Sequence, residues 1–354
     1  MISGRSFRCS SQARIAAATS ERFEPNVLGR ESMKHSFIEL IRAGSSPFSL
    51  IRNAHRSGAP HDYPLVTVII STYNWSSVLG FAISSVLDQD YRNIELLVIG
   101  DGCTDDSGDV VGAFGDPRVR WINLERNHGS QSIPNNTGLS LASGSYVAYL
   151  GHDDLWRPNH LSQLVAVAQR KKADIVSAVC LAKGPAGSNL VRLTGGIPWG
   201  RAGDWAPPSS VMHRRDATLV TGDWPDFREI EEPPDVHFVR QFTRCGLKHV
   251  RVTNLSVLKF NASWRPGSYR TRANSEQADC AERMRRQRFF VERELGGFLS
   301  TRIRRSPEVY EKARERPEGI DGRGWLVAEW RRIRGLPQAS ALPDPGQSST
   351  SPSD

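Results

Sequence analysis

The chain has 354 residues, 38% hydrophobic and 24% charged, which is ordinary for a globular protein with a sizeable core. No run approaches the ~20 apolar residues that span a bilayer. The five cysteines are odd in number, far apart and free of Cys-x-x-Cys spacing, so a disulfide framework and a zinc site are excluded and a reducing compartment is expected.

The net charge of +8 is uneven, with 18 basic and 11 acidic residues between Arg265 and Arg334. Such a stretch suits an anionic membrane surface or ligand phosphates, although interleaved acids also describe a solvated helical face.

Residues 1–62 show weak periodicity and are expected to be an extension, partly disordered. A short amphipathic helix is predicted over Met33–Arg42, with Phe37, Ile38 and Ile41 on one face. From Leu65 the pattern sharpens. Buried strands are predicted at Leu65–Ser71, Ile94–Ile99, Val119–Leu124, Tyr146–Leu150 and Ile175–Val179. Helices are predicted between them at Ser76–Leu87, Asp105–Phe114, Ile133–Ala142 and Asn159–Arg170. Alternating strands and helices, with strands apolar on both faces, imply a largely parallel sheet covered on both sides. Residues 181–262 are richer in Gly, Pro and Trp and read as a second, acceptor-side half. A strand is expected at Ser209–His213 and a helix at Asp235–Cys245. Residues 263–336 are expected to be basic and helical, and residues 337–354 a disordered Ser/Pro-rich tail.

Ligands of such sheets bind beyond the carboxyl ends of the strands. The polar residues there are Ser71–Asn74, Gly100–Asp106 and Gly151–Asp154. Adjacent carboxylates such as Asp153 and Asp154 repel unless a cation or donors are present. A divalent Mg or Mn ion, held by one or two carboxylates plus substrate phosphates, answers that need. An aspartate capping the helix after Pro158 is the alternative. Asp101 is placed to accept from a base N–H or a ribose hydroxyl, or to shape an Asp-Gly turn.

Together the segments VTVIISTYN, IELLVIGDGCTDDS and NHGSQSIPNNTGLSLASGSYVAYLGHDDLWRPNHL resemble the family 2 glycosyltransferases. The resemblance covers roughly residues 64–250. It implies an α/β GT-A type fold, with a mostly parallel nucleotide-binding sheet flanked by helices, a smaller acceptor half and a C-terminal helical extension. It also implies inverting transfer from a nucleotide diphosphate-sugar to a glycan, lipid-linked or small-molecule acceptor. Donor contacts would come from Thr72, Tyr73, Asn74, Asp101, Asn136 and Asp153, and the metal from Asp153 and Asp154. The segments Asn127-x-Gly129 and Asn136-x-Gly138 would form a turn and a helix start beside the donor. Two positions depart from the family pattern. Gly100 stands where many members have an acid, and Gly151 where many begin an acidic triplet.

Inverting transfer needs a general base. In the family this acid precedes the second-wall helix, and the matching run is Glu231–Phe238. It offers Glu232 and Asp235, with Asp235 preferred and His237 a weaker choice. Arg265, on a Trp-Arg loop, is a candidate for the donor diphosphate. Trp199 and Trp205 are candidates for stacking on a sugar. A Rossmann oxidoreductase is excluded because Ser71–Trp75 holds no glycine. A nucleotidyltransferase would want a basic glycine-rich loop there. A non-catalytic nucleotide-sugar-binding protein is the alternative from another class. No nucleic-acid partner is expected. The expected location is cytoplasmic, with peripheral contact at the inner face of the membrane through the basic region.

Overall fold

The structure, a computed structural model, describes residues 63–185, 191–195, 206–261, 264–265, 275–287 and 289–296. The helix expected at Met33–Arg42, Trp199, Trp205 and the tail lie outside the described residues.

Among the described residues nine strands form one sheet, in the order β3-β2-β1-β4-β8-β6-β9-β5, with β7 paired on β6. The first four are β1 (Val66–Thr72), β2 (Ile94–Gly100), β3 (Val119–Asn123) and β4 (Tyr146–Tyr149). They pair in parallel, as their two-sided apolar character requires. Helices α1 (Ser76–Leu87), α2 (Ser107–Gly112) and α3 (Ser132–Leu141) make the crossovers. Val78, Leu79, Ala82, Ile83 and Val86 recur at helical spacing and bury one face of α1 against β1 and β2.

The second half enters the same sheet. After β5 (Leu155–Trp156) and α4 (His160–Lys171) comes β6 (Ile175–Lys183), longer than expected. It does not pair with β4. The strand β8 (Val211–Arg214) is inserted between them, antiparallel to both. The arrangement is therefore parallel only in its first four strands and mixed beyond. Three strands lacked a sequence signal: the two-residue β5, β7 (Val191–Gly195) and β9 (His249–Phe260).

After a short helix α5 (Thr218–Thr221), helix α6 (Pro234–Arg244) packs Phe238, Val239 and Phe242 against Tyr149 and Trp224. Pro234 opens it at the first turn, where no N–H is needed. Within the basic C-terminal region, α7 (Ser275–Arg286) seats Cys280 and Ala281 on Leu258 and Phe260 of β9. Among the described residues, no helix is long and apolar enough to cross a membrane.

Candidate active site

A cleft of about 430 Å³ opens at the carboxyl ends of β2, β1 and β4, and α6 forms its far wall. Thr72 and Tyr73 line it from the end of β1, Asp101 from β2, Gly151–Asp153 from β4, and Asp235 from α6. Residues separated by more than 160 positions in sequence thus share one cavity, because the parallel strands all end on one edge.

Tyr73 is exposed at the rim, while Thr72 is buried. The Thr72 hydroxyl has no hydrogen-bond partner among the described residues. Asp101 is buried in the wall, and its carboxylate accepts from the backbone N–H of His128 at 3.0 Å and meets the ring Nδ1 at 2.8 Å. It therefore fastens the 127–129 loop, whose Asn127 and Gly129 also line the cleft. A carboxylate has about four lone-pair positions, so capacity for a ligand donor remains.

Asn74 turns away from the cleft. Its backbone is left-handed (φ 47°), a conformation asparagine tolerates better than most residues. Its side-chain oxygen accepts from the N–H groups of Thr104 at 2.7 Å and Asp105 at 3.2 Å. The expected donor contact is thus a brace between the ends of β1 and β2. Asn136 is likewise spent elsewhere: its amide exchanges two 2.9 Å hydrogen bonds with the backbone of Trp224. The neighbouring Asn135, with Ser130 and Gln131, lines the cleft instead. Gly138 lets α3 approach this closely, since a Cβ there would sit 2.7 Å from Ile69.

The two adjacent aspartates part company. Asp153 is half-buried and faces the cleft. Burial, then the charge of Asp154, raises its pKa above the usual carboxylate range. Asp154 is fully buried and behind the floor. Its oxygens accept from Ser209 Oγ at 2.5 Å, Lys259 Nζ at 2.9 Å and the Phe260 N–H at 2.9 Å. Three donors leave Asp154 committed to the protein, in contrast to the expected role as a metal ligand. Burial alone would lower the Lys259 pKa, but the charges of Asp154 and Asp153 outweigh it and hold the lysine well above its usual value. His152 also lines the cleft, edge-on to Trp75 with ring centroids 5.4 Å apart.

The departure at Gly100 has a steric cause, whereas Gly151 is only tightly approached by two carboxylates. A Cβ on Gly100 would lie 2.4 Å from Asn123 Oδ1 and 2.6 Å from the Trp121 ring. Asn123 occupies that space and exchanges hydrogen bonds with the Cys103 backbone at 2.8 and 2.9 Å. A Cβ on Gly151 would lie 3.0 Å from Asp154 Oδ2 and 3.2 Å from Asp153 Oδ1.

Of the two candidate bases, Asp235 lines the cleft as a first-turn residue of α6. Glu232 is held by Arg240, by His237 at 3.2 Å and by Arg244 at 3.7 Å, and does not line it. Arg265 is not in the cleft either. Its guanidinium pairs with Glu276 and donates to the carbonyls of Lys183 at 2.9 Å and Gly184 at 2.8 Å, tying β6 to α7. Lys259 and Ser209, which carried no signal in the sequence, line the cavity.

Residues 67–264, more than half of the chain, match the family model described as glycosyl transferase family 2. The chain belongs to glycosyl transferase family 2. Its α/β sheet, parallel across the first four strands and flanked by helices, is in keeping with the GT-A type fold expected of that family. It is 36% identical over 114 residues to the glycosyltransferase GlyG of Streptococcus pneumoniae serotype 4, covering 32% of this chain and 38% of that protein. It is 38% identical over 106 residues to the UDP-Glc:alpha-D-GlcNAc-diphosphoundecaprenol beta-1,3-glucosyltransferase WfgD of Escherichia coli, covering 30% of this chain and 41% of that one. These matches span about two-fifths of each relative. Among solved structures, S. aureus TarS 1–349 in complex with UDP-GlcNAc superposes with a TM-score of 0.48 at 19% identity, over 55% of this chain and 58% of that chain.

Proposed function

We propose that this family 2 enzyme transfers a sugar from a nucleoside diphosphate-sugar to an acceptor hydroxyl, with inversion by direct displacement. The observation that carries the reading is one cleft with Thr72, Tyr73, Asp101 and Asp153 on its strand-end side and Asp235 on the wall opposite. Tyr73 at the rim offers a ring face to the base, the buried Thr72 hydroxyl offers a hydrogen bond, and Asp101 offers an acceptor for a base or ribose donor. Asp235 takes the proton of the acceptor hydroxyl as that oxygen attacks the sugar carbon from the side opposite the leaving diphosphate.

The donor set of the cleft floor fits a divalent cation. Asp153 is a hard oxygen ligand facing the cavity, its charge unsettled by burial and by Asp154, and donor phosphates complete such a coordination sphere. When bound, Mg or Mn supplies Lewis-acid stabilisation of the departing diphosphate. Among the described residues there is no group of three or more His, Cys, Asp or Glu that could hold a metal ion.

The name of WfgD specifies a UDP-glucose donor and a lipid diphosphate-linked acceptor. For the present enzyme this supports a role in building a cell-surface glycan, on a lipid-linked or glycan acceptor, at the cytoplasmic face of the membrane. Calorimetric titration of UDP, GDP and dTDP, with Mn²⁺ and with EDTA, tests the donor site. One nucleotide should bind, metal-dependently, and Asp153→Ala should abolish the metal dependence. Failure of all three to bind a folded protein refutes the reading.

A further inference from the structure

Lys259 is the next-to-last residue of β9, and strand alternation decides where it points. Its neighbours Leu258 and Phe260 bury into the cluster under α7. The side chain of Lys259 therefore leaves by the other face and reaches the cleft, where 23% of it remains exposed. Asp154 already accepts from the Ser209 hydroxyl and the Phe260 N–H, so a neutral residue at 259 would leave that carboxylate hydrogen-bonded. The ammonium adds a charge beyond those hydrogen bonds. It carries three N–H groups and gives one to Asp154.

We propose that the Lys259 ammonium is the cleft's fixed cation for the donor diphosphate, and that Asp154 acts through it as a positioning residue. This rests on the nucleoside-diphosphate donor reading above. Without Lys259, the charge of Asp154, buried just behind the floor, would add uncompensated to that of Asp153 against an incoming anion. With it, one of those charges is cancelled, and among the described residues two of its N–H groups have no partner, in a cleft that Gly151 and Asp153 also line. Gly151 adds neither a side chain nor a charge between the ammonium and the ligand. During transfer, the bond from the sugar carbon to the β-phosphate oxygen breaks and its electron pair stays on that oxygen. The acceptor oxygen bonds the sugar carbon, and its proton passes to Asp235. The lysine N–H groups meet the charge gathering on the diphosphate.

Lys259→Met alone would leave Asp154 buried and uncompensated, which threatens folding. The informative comparison is between Asp154→Asn, which keeps the ammonium, and the double variant Lys259→Met/Asp154→Asn, which has neither charge. Titrating UDP, GDP and dTDP and their monophosphates into wild type and both variants, with Mn²⁺ present, reads the effect. For the nucleotide that the wild type binds, the double variant should be about 10- to 100-fold weaker than Asp154→Asn, the weight of a charge-assisted hydrogen bond. The loss should be larger for the diphosphate than for its monophosphate. Equal affinity of the two variants for the diphosphate overturns the assignment of Lys259 while leaving the donor site standing. A folded wild type that binds none of the three overturns both.

Discussion

Neighbouring aspartates of the same motif should answer truncation with opposite signs. Asp154→Ala removes, from a fully buried position, the counter-ion of the Lys259 ammonium and the acceptor of the Phe260 N–H and the Ser209 hydroxyl. Breaking a buried ion pair by removing one partner costs about 3–5 kcal/mol. At roughly 2–4 °C per kcal/mol for a domain of 150–250 residues, the midpoint should fall by about 6–20 °C. Asp153→Ala removes a carboxylate whose charged form is disfavoured by burial and by Asp154. Without metal or nucleotide it should leave the midpoint unchanged or raise it, while abolishing metal-dependent nucleotide binding. Thermal unfolding of the three proteins in EDTA measures the pair of effects. If Asp154 were instead an exposed metal ligand, both variants would be neutral or stabilising in EDTA. A midpoint for Asp154→Ala within 2 °C or so of wild type would refute the buried-pair account.

At the second wall, Asp235→Asn should lower kcat by about 10²-fold or more with donor affinity intact, the usual weight of a general base. Glu232→Gln, which loosens only the partly exposed cluster with Arg240 and His237, should keep most turnover and cost about 1 kcal/mol or less in urea unfolding. The raised pKa of Asp153 means that protons compete with the metal: metal-dependent donor binding should weaken as pH falls through a value above the ordinary 3.8. Its own contribution to folding has the opposite trend, because the folded state holds that proton more tightly, so stability falls as pH rises from about 3.8 through the raised value. His213, lowered by burial to about 4, and His160, lowered to about 3, act in reverse. They are neutral in the folded protein and charge on unfolding below about 6.5, so stability is lost as pH falls from there toward 4. A stability profile from pH 4 to 8 by urea melts should decline on the acid side of 6.5, and replacing His213 with Gln should flatten it. Gly100→Asp, which restores the acid common in the family, should destabilise by several kcal/mol or fail to fold, because its Cβ meets Asn123 and the Trp121 ring. Pairing it with Asn123→Gly should recover part of that loss.

The parallel half was legible because its signals are local. The β1 sequence Val66–Thr72 and the α1 stripe from Val78 to Val86 declare their elements within one window, and the strand ends follow. Thr72, Tyr73, Asp101 and Asp153 fall at those strand ends, Asp235 is expected on the second wall by the family resemblance, and all five line one cleft. What stayed hidden depends on partners far along the chain. Nothing in Val211–Arg214 says that it will separate β4 from β6, since that pairing is decided by register with Tyr146 and Ile175. Asn74, Asn136 and Arg265 are residue types that suit ligand contacts and braces equally well; the competing backbone groups of Thr104, Trp224 and Lys183 lie 30, 88 and 82 positions away.

The departures at Gly100 and Gly151 illustrate the same limit more sharply. In sequence each reads as an acid missing from the family pattern, the first of them bearing on the contact to the donor base. In space, Asn123 fills the place beside Gly100 and holds the Cys103 turn with two hydrogen bonds, so the end of β2 keeps its shape without the carboxylate. Beside Gly151, Asp154 is drawn back by Lys259, and the floor keeps one outward carboxylate and one cation in place of a cluster of acids. A cleft floor with less negative charge needs less counter-charge to admit a diphosphate. Gly151 therefore goes with a rearrangement of charge among Asp153, Asp154 and Lys259, and Gly100 with the room taken by Asn123, neither of which is legible before the chain is folded.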